Sequence, residues 1–249
     1  MDIRFATSED IDKIVNLLKL SHGQIGNVQE KKFWLWKHEN NPFGKSPVLL
    51  AFQNDLLVGL RVFMRWRFRQ GPRTLEAYRA VDTATHPAHQ GKGIFRQLTT
   101  QLVNKLMQED AFIFNTPNRF SMPGYLKMGW TILDRTPLCI GIYPFNIIQH
   151  KFATVHAETY PQSSWEEINQ NWSEIHASYA ELTSGWVVTD YNLPYMHWRY
   201  RDIPFVTYRS YIHHAKDNRV LVVYRVKAHP HFTELRITDL FFEKLNKAV

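Results

Sequence analysis

The 249-residue sequence predicts an α/β protein of the α+β type, with a mixed, mostly antiparallel twisted sheet flanked by helices. Three apolar runs, Pro47 to Gln53, Leu56 to Phe68 and Leu75 to Thr85, are separated by short polar turns, which is typical of an antiparallel meander. Apolar residues at helical spacing precede and follow these runs, and they supply the flanking layers.

The first predicted elements are a short strand, Ile3 to Ala6, and a helix. Thr7 and Asp10 have the spacing of a capping box, in which two side chains satisfy backbone N–H groups at a helix start. The apolar residues behind them recur at helical spacing: Ile11, Ile14, Leu17 and Leu18.

A loop with two glycines, "HPAHQGKGIF" (His86 to Phe95), follows the third strand. The apolar residues after it predict an amphipathic helix of about four turns: Ile94, Leu98, Leu102 and Leu106. Unsatisfied N–H groups and the helix dipole favour an anion at such a helix start. The loop lacks the glycine spacing of a Walker P-loop or a dinucleotide motif, so on its own it fits an ordinary helix start equally well.

A short apolar strand, Ala111 to Pro117, and a short helix between Ser121 and Gly129 complete the first half. This order of elements, with Asn118, Tyr125 and the ending "KMGW", resembles the GNAT N-acetyltransferase superfamily over about residues 1 to 135. The resemblance implies a GNAT-like fold and acetyl-CoA-dependent transfer of an acetyl group to a primary amine by direct attack.

The resemblance also implies a cofactor site. The family's loop pattern is Gln/Arg-x-x-Gly-x-Gly/Ala, and its N–H groups grip the pyrophosphate of acetyl-CoA; the matching residues here are Gln90, Gly91, Lys92, Gly93, Ile94 and Phe95. Pantetheine would pair with the preceding strand at Thr83, Ala84 and Thr85, and Asn118 belongs to the same region. Tyr125 stands where relatives have a tyrosine that protonates the leaving thiolate.

Phe95 departs from that pattern, which ends in a small residue. Anion binding by the main chain survives the change because the N–H remains. On a helix, Phe95 lies beside Leu98 and Leu102, so core packing is favoured over a ligand contact. A blocked site and an inactive enzyme is the other outcome.

Asp82 is the leading candidate for the base that removes a proton from the acceptor amine. It lies in an apolar strand, where a charge is uncommon unless it is paired or functional. The alternative is an ion pair with Arg61, Arg65 or Arg79 from neighbouring strands, and both remain open. Glu76 is a weaker candidate.

The net charge of +7 favours anionic partners such as phosphorylated cofactors, but no run of five basic residues occurs, so nucleic acid is not expected. No apolar run approaches the roughly 20 residues of a membrane span, and no signal peptide is visible. Cys139 is the single cysteine, so no disulfide can form within the chain, which fits a reducing compartment, and the protein is expected to be cytoplasmic. Cys139 lies in an apolar run and is expected to be buried. His86 and His89 lack a third ligand, so no metal is expected.

The second half of the sequence echoes the first. "FWLWKHENNPF" (Phe33 to Phe43) aligns with "YMHWRYRDIPF" (Tyr195 to Phe205), and strands follow each copy. A helix is predicted over Ser163 to Leu182. We therefore expect a GNAT acetyl-CoA-binding domain over residues 1–140 and a C-terminal α+β region over 141–249, a truncated and degenerate GNAT-like repeat. A chance match in an aromatic-rich chain is the alternative.

The acceptor is left open between an amino sugar, a polyamine and an amino acid. An aminoacyltransferase of the tandem GNAT-like type is a second hypothesis, favoured by the echo and the positive charge. A non-catalytic CoA- or partner-binding protein is a third, favoured by Phe95. The aromatic-rich second half is compatible with a homodimer.

Overall fold

The computed structural model describes residues 1–22, 27–108, 110–134, 139–141, 160–215, 218–230 and 232–244. The chain forms two compact units. The first contains Met1–Ile132, Val187–Asp190 and Asp202–Phe205, and the second contains Leu133–Trp186, Tyr191–Arg201 and Val206–Val249. Two short segments of the second half thus belong to the first unit, and a domain boundary at residue 140 stays a prediction.

The first unit is built on one sheet. Its strands are β1 (Asp2–Phe5), β2 (Val48–Gln53), β3 (Leu56–Gln70), β4 (Arg73–Thr85), β5 (Ala111–Phe114) and β6 (Val188–Thr189). The order is β1-β2-β3-β4-β5, with β6 paired to β3. All pairs are antiparallel except β4–β5, which is parallel. The expected mixed, mostly antiparallel sheet is therefore confirmed.

Helices cover both faces of this sheet. They are α1 (Ile11–His22), α2 (Asn27–Trp34), α3 (Ile94–Leu106) and α4 (Met122–Lys127), and a π-helical turn (Leu35–Glu39) continues α2. The capping box is confirmed, because the Thr7 N–H donates to Asp10 Oδ2 at 2.8 Å. Gly129, with φ +91°, follows α4 as predicted.

Alternation along the strands divides the apolar residues into two layers. Leu60 and Val62 pack with Ile14 and Leu17 on the α1 side. Phe63 packs with residues of α3 and α4 on the other side, among them Leu98, Leu102 and Tyr125. Because successive residues of a strand point to opposite faces, Arg61 shares the face of Phe63.

The second unit contains α5 (Trp165–Leu182), α6 (Leu193–Met196), a second π-helical turn (His197–Arg201), β7 (Arg209–Ala215), β8 (Asn218–Ala228) and β9 (Thr233–Phe242). The strands form an antiparallel sheet in the order β7-β8-β9. Its helix, π-helical turn and three-stranded meander repeat the order of α2 through β4. A β-bulge also recurs: Asp82 and Thr83 stand opposite Arg61 in the first meander, and Thr238 and Asp239 stand opposite Val223 in the second.

Cys139 is exposed, so its expected burial was wrong. It lies in residues 139–141, which form neither a helix nor a strand that would hold the side chain in a core. Among the described residues, the helices do not combine the length and apolarity needed to cross a bilayer.

The contact of β3 with α3 predicts the effect of Gly59→Ala. A Cβ at Gly59 would overlap Ile94 Cγ2 and lie 3.0 Å from Leu98 Cδ1. We expect the free energy of unfolding, measured by urea denaturation, to fall by about 1–3 kcal/mol. Gly185→Ala is the control, because its Cβ would meet nothing within 4 Å. Equal stability of the two variants would contradict this packing.

Candidate active site

A cleft opens where β4 and β5 part. The two strands pair over Glu76–Arg79 and Ala111–Phe114, after which β4 continues to Thr85 while β5 ends. The cavity at this point has a volume of about 760 Å³. An unpaired strand edge offers backbone N–H and C=O groups to whatever lies beside it.

The walls of the cavity come from β4, the glycine loop, α3 and α4. They include nearly all the predicted site residues: Asp82, Thr83, Ala84, Thr85, Gln90, Gly91, Gly93, Ile94, Phe95, Asn118 and Tyr125. Lys92 is the exception, since it is exposed outside the lining set. The fold thus brings these residues together, and their individual roles stay predictions.

The end of β4 turns its backbone toward the cleft. The His86 N–H donates to the Val58 carbonyl of β3 at 2.9 Å. Backbone groups alternate in direction along a strand, so those of Thr85 point away from β3. Ser21 Oγ, near the end of α1, donates to the Thr85 carbonyl at 2.8 Å.

The glycine loop is held in a conformation that other residues adopt with difficulty. Gly91 and Gly93 have φ values of +75° and +77°. A Cβ at either position would meet nothing within 4 Å, so conformation and not crowding requires glycine. The first hydrogen bond of α3 joins the Gln97 N–H to the Gly93 carbonyl at 3.0 Å. The N–H groups of Ile94 and Phe95 therefore precede the hydrogen-bond ladder of the helix.

Phe95 and Tyr125 form one wall together. Tyr125 is 6% exposed, and its ring meets Phe95 edge-on at 5.6 Å and Trp130 at 5.1 Å. Phe95 packs against the apolar layer of α3 and α4 and also lines the cavity. Core packing and a place in the site are therefore compatible, and the cavity stays open with Phe95 in its wall.

Asn118 shapes the turn that leads into α4. Its Oδ1 accepts the N–H groups of Phe120 at 3.0 Å and Ser121 at 2.9 Å. This holds the chain before Tyr125, so Asn118 positions that tyrosine's helix as well as lining the cavity.

Asp82 is ion-paired, though with partners other than the expected arginines. Its Oδ2 accepts hydrogen bonds from Lys37 Nζ and His38 Nε2, each at 2.7 Å. Asp82 sits in the bulge with φ +41°. Its carboxylate is directed toward the π-helical turn after α2, while Arg61 points to the α3 side.

Burial and these hydrogen bonds control the charge states of Asp82 and His38. Burial would raise the pKa of Asp82, but Lys37 and His38 hold it well below its usual range. Burial lowers the pKa of His38, which is 1% exposed, despite its bond to Asp82. A neutral ring that donates Nε2–H to Asp82 leaves Nδ1 to accept the Ser46 hydroxyl at 2.9 Å. A carboxylate so stabilised is a weak base, and proton removal by Asp82 stays a prediction.

Arg61, one of the three arginines considered as ion-pair partners of Asp82, has other contacts in the structure. It is fully buried, and its Nη1 donates to Thr83 Oγ1. Its guanidinium lies over the rings of Phe63 at 4.5 Å, Tyr125 at 5.4 Å and Phe95 at 5.6 Å. Burial lowers the pKa of Arg61, and Tyr125 and Asp82 act in the opposite direction. The sequence did contain a signal for this burial, namely a basic residue on the inward-facing side of the apolar strand "LLVGLRVFM".

Comparison with known proteins decides the family. The family model described as an acetyltransferase (GNAT) domain matches residues 2–133. This chain belongs to the GNAT acetyltransferase family. The predicted GNAT resemblance and the prediction of an N-acetyltransferase enzyme are thereby confirmed.

The GNAT chain is 28% identical over 147 residues to the L-methionine sulfoximine/L-methionine sulfone acetyltransferase of Salmonella typhimurium LT2, covering 55% of this chain and 84% of that one. A conserved Enterococcus faecalis V583 protein of unknown function, described as a probable N-acyltransferase, matches with a TM-score of 0.57 and 10% identity, over 95% of this chain and 58% of that one. A predicted acetyltransferase of Clostridium acetobutylicum, crystallised with acetyl-CoA, matches with a TM-score of 0.47 and 18% identity. The match covers 56% of this chain and 95% of that one. The similarity to the Enterococcus protein extends over both halves of this chain, so the fold of the second half also has a counterpart among solved structures.

Two carboxylates of β4 give a matched stability test of the ion pair. Asp82→Asn leaves Lys37 and His38 without their anion, so we expect the free energy of unfolding at pH 7 to fall by about 1–3 kcal/mol. Glu76→Gln removes the Arg67 pair, whose two side chains are 34% and 38% exposed, and is expected to have an effect of about 1 kcal/mol or less.

Acid should reduce the difference in stability made by Asp82. Because the folded-state pKa is depressed, the carboxylate stabilises the fold above the unfolded pKa of about 3.9, and this is lost as pH falls through the folded value. Urea denaturation from pH 7 to pH 3 should show the stability gap between the wild type and Asp82→Asn unchanged down to about pH 4 and narrowing below it. A constant gap would contradict the assigned charge state.

Proposed function

We propose that this GNAT enzyme binds acetyl-CoA in the cleft beside β4 and transfers the acetyl group to the primary amine of a small molecule by direct attack. The observation that supports this best is the pair of left-handed glycines, Gly91 and Gly93, that opens onto the cavity at the start of α3. Tyr125 stands in the wall of the same cavity.

The residues present fit the diphosphate end of acetyl-CoA. Open space lies where a Cβ would stand on Gly91 or Gly93, which leaves room for phosphate oxygens against the backbone. The N–H groups of Ile94 and Phe95, at the positive end of α3, are donors for an anion. Arg96 adds a positive charge to the cavity lining.

The exposed edge of β4 suits an extended chain. Thr83, Ala84 and Thr85 line the cavity where β5 no longer pairs with β4, so their backbone aligns a pantetheine arm along the strand. Acetyl-CoA, when bound, supplies the thioester that carries the acetyl group. Positioning of amine and carbonyl carries much of the catalytic effect in such a site.

Two side chains have proposed proton roles. Tyr125 holds a proton on its hydroxyl and donates it to the leaving group. Asp82 lines the cavity and is the candidate acceptor of the amine proton, although its ion pair with Lys37 makes it weak in that role. Of the two proposed proton roles, that of Tyr125 is therefore the better supported.

The acceptor is proposed to be a small amine, in the class of amino acids, amino sugars or polyamines. The Salmonella relative is named for derivatives of an amino acid, L-methionine sulfoximine and L-methionine sulfone. Amino acids and their analogues are therefore the first acceptors to screen.

A second candidate function is aminoacyl transfer of the tandem GNAT-like type. The repeat of the meander and its bulge in the second unit favours it. The glycine loop favours acetyl-CoA instead, because an aminoacyl donor needs no diphosphate cradle. A non-catalytic protein would bind acetyl-CoA without turnover.

Calorimetric titration with acetyl-CoA tests the binding site. We expect micromolar affinity for acetyl-CoA, about 8 kcal/mol of binding free energy, and the dephospho and desacetyl forms serve as controls. Gly93→Ala should weaken binding about tenfold, since the left-handed conformation at φ +77° costs a residue with a Cβ about 1–2 kcal/mol. Gly185→Ala should bind as the wild type does. Absence of binding by the wild type would overturn the proposal.

An acceptor screen that measures free thiol release tests the chemistry. With the best acceptor, Tyr125→Phe is expected to lower kcat by about 10²- to 10⁴-fold, because a positioned proton donor is lost. Its affinity for acetyl-CoA should stay unchanged. Tyr211→Phe, on β7 of the second unit, should retain full activity. An unchanged kcat in Tyr125→Phe would remove that residue from the mechanism.

A further inference from the structure

We propose that Arg61 is a positioning residue that acts through Tyr125: its guanidinium orients the phenol and stabilises the negative charge that forms when the phenol gives up its proton. This rests on the proposed function, in which Tyr125 is the proton donor. The juxtaposition of a fully buried cation and a cavity-lining tyrosine carries it.

The burial of Arg61 is unusual for a charged side chain. Arg61 has 0% exposure, and a buried cation is destabilising unless a carboxylate or several hydrogen bonds compensate it. Nη1 donates to Thr83 Oγ1, whereas Nε and Nη2 have no hydrogen-bond partner among the described residues. The positive charge of Arg61 is therefore buried with only one of its three nitrogen atoms hydrogen-bonded within the described part of the chain.

Aromatic rings surround that charge. Phe63, Phe95 and Tyr125 each present a ring within 4.5–5.6 Å of the guanidinium carbon. Ring faces attract a cation without neutralising it, and the surrounding low dielectric lets its field act strongly on nearby groups. Asp82 raises the pKa of Arg61 electrostatically, but its Oδ2 accepts hydrogen bonds from Lys37 and His38.

The cavity lies directly beyond these contacts. Thr83, Phe95 and Tyr125 all touch the guanidinium and all line the cavity. Arg61 itself stands behind this wall, so it is placed to act on the reaction through Tyr125. The other titratable or charged residues of the cavity lining are Asp82 from β4, His89 from the loop and Arg96 from α3.

The proton balance gives Arg61 its role. The O–H bond of Tyr125 breaks as the leaving group takes the proton, and the electron pair stays on the phenolate oxygen. Arg61 keeps its own proton and stabilises that oxygen electrostatically. The proton that the attacking amine loses, carried by water in the cleft, later returns to the phenolate.

Steady-state kinetics with acetyl-CoA and the best acceptor are the first test. Arg61→Met should lower kcat about 10²-fold, by analogy with the loss of one charge-stabilising donor, while KM for acetyl-CoA changes little. Arg61→Lys, which keeps the charge but not the planar fork, should recover part of the loss. Arg65→Met is the control, since Arg65 lies on the same strand over the Tyr78 ring at 5.1 Å. Equal losses in the two Met variants would overturn the proposal.

Two further comparisons separate this role from packing. In a Tyr125→Phe background, Arg61→Met should cause no additional loss of kcat, because both changes remove the same interaction. Guanidinium ions should restore activity to Arg61→Ala, whereas urea, the neutral molecule of the same shape, should not. Independent losses in the double variant, or equal rescue by urea, would contradict an electrostatic action through Tyr125.

A readout without turnover keeps the inference distinct from the proposed function. Calorimetric titration with acetyl-CoA provides it. Arg61→Met should bind acetyl-CoA as tightly as the wild type does, because Arg61 lies outside the set of residues that line the cavity. Weaker binding by Arg61→Met than by the wild type overturns the role of Arg61. Absence of binding by both proteins overturns the proposed donor instead.

Discussion

The β-bulge at Asp82 and Thr83 is the constraint on which the rest of the site depends. Two residues of β4 stand opposite Arg61 of β3, and Asp82 takes φ +41° there. A bulge redirects side chains that a regular ladder would hold in strict alternation. Asp82 is thereby directed toward Lys37 and His38, while Arg61 enters the layer of α3 and α4. Two opposite charges that regular pairing would set side by side end on opposite faces.

The separation of these charges gives each face its own chemistry. On one face, a carboxylate is held ionised by Lys37 and by a buried neutral histidine. On the other, a cation lies among aromatic rings behind Tyr125. The cleft between them exists because β5 ends at Phe114 while β4 continues. A free strand edge, a helix start and a buried tyrosine therefore meet at one place.

The second unit repeats the bulge with other chemistry. Thr238 and Asp239 stand opposite Val223, so an apolar side chain occupies the position equivalent to Arg61. Asp239 accepts the hydroxyl groups of Tyr191 and Tyr200. Burial raises the pKa of Asp239 to about 6, despite the Tyr191 hydrogen bond and the nearby Arg199. The same backbone irregularity thus supports an ionised carboxylate in one meander and an easily protonated one in the other.

The sequence by itself determined the features that depend on near neighbours. Strand runs and turns predicted the meander, Thr7 and Asp10 predicted the capping box, and the glycines of the loop occupy left-handed positions that only such residues adopt easily. The order of these local signals was enough to indicate the family. Phe95 could be placed on the inner side of its helix for the same reason, since helical spacing is local.

Only the tertiary structure decided the charge partners. Lys37 and His38 reach Asp82 from a π-helical turn more than forty positions earlier in the chain. Which basic residue pairs with Asp82, and which one is buried alone, depends on the register of β3 against β4 and on the one-residue bulge in it. Register is a property of two strands together, and a shift by one residue exchanges the faces of every side chain beyond it. No local pattern in β4 contains that information.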